Sequence, residues 1–509
     1  MLLHLKFVEI AKRMGKKTAV IDTATQKTYD YNRMLIASLI LKNRFDRIQG
    51  KYLGIMLPTS AGCHLGVLAT LMSGKIPVMI NYSTGAIENS IYAQEKCGFE
   101  TVITSKKLLL KLKLEPLDTM IYIEDILESV SKIDKLTAAV QSKLPYSLLK
   151  NHLHKGNEKD TCVILFTSGS EKDPKAVQLT HANISHNVES LPGFIDIMDD
   201  EIFGGTLPLF HVFGLTATFW LPLLLGSTIV TFANPLDYKL IVEKIKKYKI
   251  TVMIGTPTFF AGYLKKAKKG DFDSIRKAVT GADKLNEKLR LTYLEDHGLQ
   301  ILEGYGATET SPVISLNNFV DYRPGSIGKP IPGVEVKIID TKTERELYAG
   351  ETGKVMVRGK MVMKGYLGDM EETMLHIRNG WYDTGDMGMI DEDGFLWHKG
   401  RLKRFVKVGG EMVSLVRTEE LLTALLPDEV YCCVVDVPNP TKGADVVAAV
   451  ANGDFDQKHV LHKLKKLLPN IAVPKEFYVI EDIPLMGSGK VNFREVEKIC
   501  RKLQVKKKK

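Results

Sequence analysis

In "ILFTSGSEKDPKAVQLTH", Ile164–His181, hydroxyls, a glycine and a lysine follow an apolar run, Cys162–Leu165 just ahead of Phe166, that reads as a buried strand. Thr167, Ser168, Gly169, Ser170 and Lys175 could surround the outer oxygens of a triphosphate with O–H groups, backbone N–H groups and one positive charge. The stretch is not a Walker loop, GxxxxGK[ST]. Pro174 stands where the second glycine belongs, and Ala176 where the metal-reaching hydroxyl belongs.

Four further stretches carry residue types suited to the same kind of ligand. In "LEGYGATETSPV", Leu302–Val313, Gly304 and Gly306 flank Tyr305, leaving its ring open as a stacking platform. Thr308 and Glu309 then set a hydroxyl beside a carboxylate, which suits phosphate and Mg²⁺ oxygen chemistry. In "GWYDTGDMG", Gly380–Gly388, Asp386 between glycines can accept both hydroxyls of a ribose. "GRLKRFVKVGGEMVS", Gly400–Ser414, offers Arg401 to sugar or phosphate and a Gly-Gly suited to a hinge. In "PLMGSGKVNFRE", Pro484–Glu495, Lys490 follows a pliant Gly-Ser-Gly. Taken singly, an N-cap threonine, an Asx-turn or a basic surface turn explains each stretch equally well.

Positioning such groups takes a scaffold of strands and helices. Strand-like runs ("YLGIMLP", "IPVMINY", "TCVILFTS", "STIVTF", "ITVMIGTP", "LQILEGYG") alternate with charged, helix-periodic segments, which predicts an α/β fold with mainly parallel sheets. From Gly325 to Trp397 short strands and Gly-centred turns predict a small β-barrel-like unit, and after Gly400 a compact α+β segment remains. We therefore expect an N-terminal domain over 1–400, with a β-rich subdomain over 325–400, a hinge at 401–404 and a C-terminal domain over 405–509.

Length and composition fit that scheme. A chain of 509 residues, 44% hydrophobic and 26% charged, predicts a soluble protein of several units. Its six cysteines show no metal spacing and read as reduced thiols, mostly in the core. Leu3, Phe7 and Ile10 predict an amphipathic N-terminal helix, not a secretion signal. Residues 212–233 are uncharged and long enough to span a bilayer, but Pro222 and Gly226-Ser227-Thr228 divide them into a buried helix and a strand. The net charge is +10, and from Arg401 onward 20 basic residues face 14 acidic ones. That surplus suits solubility, an acidic protein or an anionic membrane; without a recognition motif it does not suit nucleic acid.

In this order and spacing the five stretches resemble the adenylate-forming superfamily of acyl-CoA synthetases, luciferases and peptide-synthetase adenylation domains, and the resemblance covers nearly the whole chain. The opening loop corresponds to the family pattern TSG[ST]TGxPKG, with Glu171-Lys172-Asp173 in place of Thr-Gly-x and Ala176 in place of the last glycine. "TSGSE", "GRLKRFVKVGGEMVSL" and "PVMINYSTG" look like one branch, the stand-alone acyl-acyl carrier protein synthetases and the synthetase domain of bifunctional 2-acylglycerophosphoethanolamine acyltransferases.

The resemblance implies a large domain joined by a hinge to a small mobile one, and two half-reactions. A fatty carboxylate attacks the α-phosphorus of Mg·ATP to give acyl-AMP, then a phosphopantetheine thiol takes the acyl group. It implies that Thr167, Ser168, Gly169, Ser170 and Lys175 grip the outer phosphates, Thr308 the α-phosphate, and Glu309 the Mg²⁺. Tyr305 and Gly306, with Gly281 and Ala282, would line adenine, and Asp386 and Arg401 the ribose. Lys490 would neutralise the reacting oxygens, Lys403 would be the hinge, and His211 in "LPLFHVFGL" would gate the acyl pocket. The implied partner is acyl carrier protein, alternatively CoA; the protein reads as cytoplasmic, and the charge of its C-terminus suits a peripheral contact at the inner membrane face as one alternative. A third reading is a nucleotide-binding protein without catalysis.

Overall fold

The protein's computed structural model describes residues 1–167, 174–409, 411–427, 429–485 and 491–508; at Lys403 and at residues 506–508 it describes the backbone alone. By density of internal contacts the chain divides into a first unit, Met1–Val336 with Val357–Tyr382, and a second, Lys337–Met356 with Asp383–Lys509. Residues 325–400 are rich in strands, and the division passes through three of them, Val334–Ile339, Gly353–Gly359 and Trp381–Ile390.

The first unit is built on two sheets. A seven-stranded sheet runs parallel through Tyr52–Ile55, Ile76–Met79, Val102–Thr104, Met120–Tyr122 and Thr161–Thr167. It ends with Lys175–Thr180 and Gly365–Tyr366, both antiparallel to their neighbours. A nine-stranded sheet has a parallel centre that includes Val252–Gly255, Lys277–Thr280 and Ile301–Gly306, with antiparallel edges. Central strands such as Val252–Gly255 and Lys277–Thr280 are buried on both faces, as parallel sheets covered by helices require. The mixed α/β class expected from the alternating pattern is the observed one.

Local sequence sets the element ends. The helix His181–Phe194 starts on a capping box, Thr180 Oγ1 accepting from Asn183 N at 3.1 Å while Asn183 Oδ1 accepts from Thr180 N at 2.8 Å. The same Asn183 amide donates to the carbonyls of Lys360 and Val362, both at 2.7 Å, and so carries the segment leading to Tyr366. The N-terminal helix, Leu3–Met14, buries Leu3, Phe7 and Ile10. The uncharged stretch is a buried π-helical segment, Gly214–Trp220, continued by Leu221–Leu225 and the strand Thr228–Thr231. A Cβ at Gly214 would lie 2.3 Å from the Pro208 carbonyl oxygen, so only glycine allows this turn. Among the described residues no helix is long and apolar enough to cross a membrane.

In the second unit, strands Tyr431–Asn439 and Gly443–Ala451 pair antiparallel and Phe477–Val479 adds in parallel. Alternation sends Val434, Val446, Ala448 and Val450 to one core with Leu422 and Leu464. Cys433, Val435, Val447 and Ala449 go to the other, with Val496 and Cys500 of the helix Phe493–Lys508. All six cysteines are free and five are buried, as read from their apolar settings.

Candidate active site

The carboxyl ends of the parallel strands in the nine-stranded sheet carry the first cluster. After Lys277–Thr280 the chain turns through Gly281 and through Ala282, whose φ of 72° is unusual for a residue with a side chain. A Cβ on Gly281 would stand 3.2 Å from Gly304 O and 3.6 Å from the Phe213 ring, so the strand end and the His211–Phe213 segment close on this point. His211 itself is half-buried, its ring 4.5 Å from that of Phe210. Next door, Tyr305 and Gly306 end the strand Ile301–Gly306, and residues 304–309 are all partly exposed. A Cβ at Gly306 would fall 1.9 Å from Pro312 O, so the close return of the chain there depends on glycine. Openings at the carboxyl ends of parallel strands are where α/β sheets bind ligands.

Thr308 and Glu309 follow on a single 3₁₀ turn, Thr308–Thr310, tied down by Ala307 N donating to Thr310 Oγ1 at 3.0 Å and Thr310 donating to Pro312 O at 2.6 Å. Met363 N donates to the Glu309 carbonyl at 2.7 Å. The Tyr366 hydroxyl donates to Glu309 Oε1 at 3.0 Å. Burial, then the charge of Glu309, pushes the Tyr366 phenol far above its ordinary range, so it stays protonated and acts as a donor.

The seven-stranded sheet brings Lys175 to the same place. Thr167 and Lys175 face each other across the antiparallel pair that brackets the opening loop, and Tyr92 donates to Pro174 O at 2.8 Å. Ser168, Gly169 and Ser170, with Glu171-Lys172-Asp173, lie outside the described residues. Lys175 pairs with Glu372, and its ammonium stands 5.0 Å from the centre of the Tyr366 ring. The hydrogen bond from Lys175 holds the Glu372 carboxyl below the usual range, and His376 Nε2 lies 3.2 Å from the same oxygen. A cation and two carboxylates are thus arranged around one tyrosine.

Tyr366 and Glu372 are absent from the sequence-derived set. The one local signal is Asp369, whose side chain accepts from Glu372 N at 3.0 Å as the cap of the helix Met370–His376. That pattern marks a helix start; it does not reveal that Glu372 reaches Lys175.

The remaining candidates belong to the second unit. Asp386, 4% exposed, and Arg401, largely exposed, are directly paired across antiparallel strands. Arg401 Nε lies 3.4 Å and His398 Nε2 3.6 Å from Asp386 Oδ1. Lys403 sits on the 3₁₀ turn Leu402–Arg404. Lys490 lies outside the described residues, whose flanks are joined by a bridge between Leu485 and Val491 and by Asn492 N donating to Pro484 O at 2.8 Å. Arg404 packs on the Phe493 ring at 4.0 Å, linking the turn to the start of the last helix.

Among the described residues no group of three or more acidic, His or Cys side chains could hold a metal alone. Glu309 offers a hard oxygen donor, so it fits a Mg²⁺ whose other ligands are phosphate oxygens and water.

A family model described as AMP-binding enzyme matches residues 7–367, and one described as AMP-binding enzyme C-terminal domain matches residues 419–490. A long-chain-fatty-acid–CoA ligase of Escherichia coli O157:H7 is 30% identical over 346 residues, 66% of this chain and 61% of that protein. The chain thus spans less than two thirds of that curated relative. A feruloyl-CoA synthase of Amycolatopsis sp is 31% identical over 67% of this chain and 70% of its own. The ATP-bound MatB from Rhodopseudomonas palustris shares the fold, with a TM-score of 0.85 and 24% identity over 99% of this chain and all of that one.

Proposed function

The chain belongs to the AMP-binding enzyme family of the adenylate-forming superfamily, and from that premise we infer that it joins a fatty carboxylate to a thiol through an acyl-adenylate. The carrying observation is the arrangement of Lys175, Glu309 and Glu372 around Tyr366 at the open ends of two sheets. It offers a cation to phosphate and a carboxylate to Mg²⁺.

In the first half-reaction a carboxylate oxygen attacks the α-phosphorus of ATP, a P–O bond forms, and the bond to pyrophosphate breaks. Two anions must meet, so the barrier falls chiefly through neutralisation and alignment. Lys175, with Thr167, Ser168, Gly169 and Ser170, holds the outer phosphates; Thr308 takes the α-phosphate. Tyr305, Gly306, Gly281 and Ala282 receive adenine, and Asp386 with Arg401 the ribose. Bound Mg²⁺ at Glu309 would supply further positive charge to the phosphates. Lys490 neutralises the attacking carboxylate and the α-phosphate.

In the second half-reaction a thiol sulfur attacks the acyl carbon, its proton is released, and AMP leaves. We assign the change of state to a hinge at 401–404, about which the segment 405–509 turns on Lys403, and acyl-pocket gating to His211. The largely buried and mainly apolar residues 212–225 suit a wall for an aliphatic chain.

The acceptor reading favours CoA, because the Escherichia coli and Amycolatopsis relatives above are named for CoA. The resemblance of the motifs alone points instead to acyl carrier protein, and the surplus of six positive charges from Arg401 onward keeps that as the second reading. The deciding experiment is thioester formation from ATP and a panel of fatty and aryl acids, with CoA and holo-carrier protein offered in parallel. Exchange of pyrophosphate into ATP with no thioester on either acceptor would reject the thiol-ligase reading, and absence of exchange with every acid would reject catalysis. Lys490→Ala should remove acyl-AMP formation while sparing transfer from supplied acyl-AMP; equal loss in both would overturn its role.

A further inference from the structure

The helix Lys132–Lys143 has two unlike faces, and the inner one is pinned. Ala138 is fully buried. Arg44 donates to Asp134 at 2.8 Å and to Ser129 O at 2.9 Å, and Lys12 donates to the carbonyls of Ser142 and Leu144. These contacts, made from helices Tyr31–Phe45 and Leu3–Met14, fix the rotation of the helix about its own axis.

The outer face is apolar where a solvated helix would be polar. Ile133, Leu136 and Val140 are 75%, 66% and 58% exposed. Their i, i+3, i+7 spacing makes one stripe. Among the described residues no other helix of eight or more residues leaves three large hydrophobic side chains exposed. Lys132, Lys135 and Lys143 are exposed on the same helix. Residues 132–155 hold five lysines against a single acidic residue, Asp134, which is already paired with Arg44.

We propose that this face docks on an anionic lipid surface, with the three aliphatic side chains in the headgroup boundary and the lysines against lipid phosphates. The charge decides between occupants. A second copy of the same face would set lysines against lysines. A protein partner would be expected to meet aromatic or arginine anchors, and lysine is depleted in such interfaces. Aliphatic stripes edged by lysine are instead the pattern of helices that lie in a membrane surface. The inference rests on this helix alone and holds whichever acid and thiol the enzyme uses.

The test is co-sedimentation of the full chain with phosphatidylcholine vesicles, with and without phosphatidylglycerol. Wild type should bind the mixed vesicles, bind neutral ones weakly, and lose binding as salt rises. The triple variant Ile133→Ser, Leu136→Ser, Val140→Ser should bind on the order of a hundredfold more weakly, and Leu136→Gln alone about tenfold more weakly. Replacing the lysines at 506–509 with serine should leave most of the binding. Thermal unfolding of each variant checks folding, and the single exposed change keeps the test open should the triple variant not fold. Absence of wild-type binding, full binding by Leu136→Gln, or loss of binding with the terminal lysines alone would overturn the proposal. So would a self-associated wild type that both stripe variants turn monomeric.

Discussion

Lys175 and Glu372, 197 positions apart in the chain, are joined in an ion pair beside the ring of Tyr366. In the proposed reaction Lys175 must exchange this carboxylate for phosphate oxygens. Both side chains are about a quarter to a third exposed, so screening leaves the pair about 1 kcal/mol. Glu372→Gln should therefore lower the KM for ATP by roughly fivefold, while Lys175→Ala raises it by about tenfold or more. Initial rates of pyrophosphate release against ATP concentration measure both. A higher KM in Glu372→Gln would mean that the carboxylate aims the lysine and does not compete for it.

Tyr366→Phe removes a single donor from Glu309 and leaves the ring in place. A hydrogen bond to a charged acceptor contributes about 1.5 kcal/mol, so the unfolding free energy should fall by about that amount. If Glu309 holds Mg²⁺, the half-saturating Mg²⁺ concentration should also rise, on the order of threefold. Titration of activity with Mg²⁺ at saturating ATP separates the two effects: a stability loss without a Mg²⁺ shift would make Tyr366 a structural support only.

Asp386→Asn keeps the shape of the side chain and discards its charge beside Arg401 and His398. A ribose role predicts a KM for ATP higher by about tenfold, equivalent to ~1.4 kcal/mol. The same variant should match wild type with a dideoxy-ATP that lacks the ribose hydroxyls. An equal loss with both nucleotides would assign Asp386 to holding the strand pair together.

Glu303, 5% exposed, lies just before Gly304 and accepts from Gly325 N at 3.2 Å. Burial pushes its carboxyl up from 4.5 to about 7. The folded state therefore binds this proton more tightly than the unfolded chain does. Its contribution to stability is complete below the unfolded value and is lost as pH rises toward 7. Wild type should lose on the order of 2 kcal/mol between mildly acidic and mildly basic pH through this group. In Glu303→Gln that part of the pH dependence should disappear. Denaturant unfolding of both proteins across this range is the measurement, and parallel curves would rule out Glu303 as the source.

Much of the fold is legible in the chain because period and burial agree. Cys433 and Val435 alternate with Val434 as strand spacing demands, and Pro222 with Gly226 marks where an uncharged run stops being one helix. The candidate site is legible where a motif is local: Gly304 to Glu309 lies on one strand end and its turn. The contacts of Tyr366 and Glu372 are not local. Gly365–Tyr366 is a two-residue strand, held by pairing with Gln178 and Val177, and no periodicity exists in two residues. The partner of Glu372 is set by how the sheet edge folds back, which nearest-neighbour patterns do not encode.

Because Thr167 and Lys175 are direct partners in an antiparallel ladder, the opening loop is clamped at both ends by one pair of strands. Walker loops run instead into a helix, whose first amides and dipole draw the phosphates. Here, among the described residues, the chain returns as a strand, and the next helix begins after Thr180. Thr167 and Lys175 therefore form two posts fixed by the ladder itself. Between them the sequence departs from the family pattern at Glu171-Lys172-Asp173, and the flanking strands are paired all the same. Exchanging residues 168–173 between these two posts is expected to alter the proposed grip on phosphate while Thr167 and Lys175 stay in register.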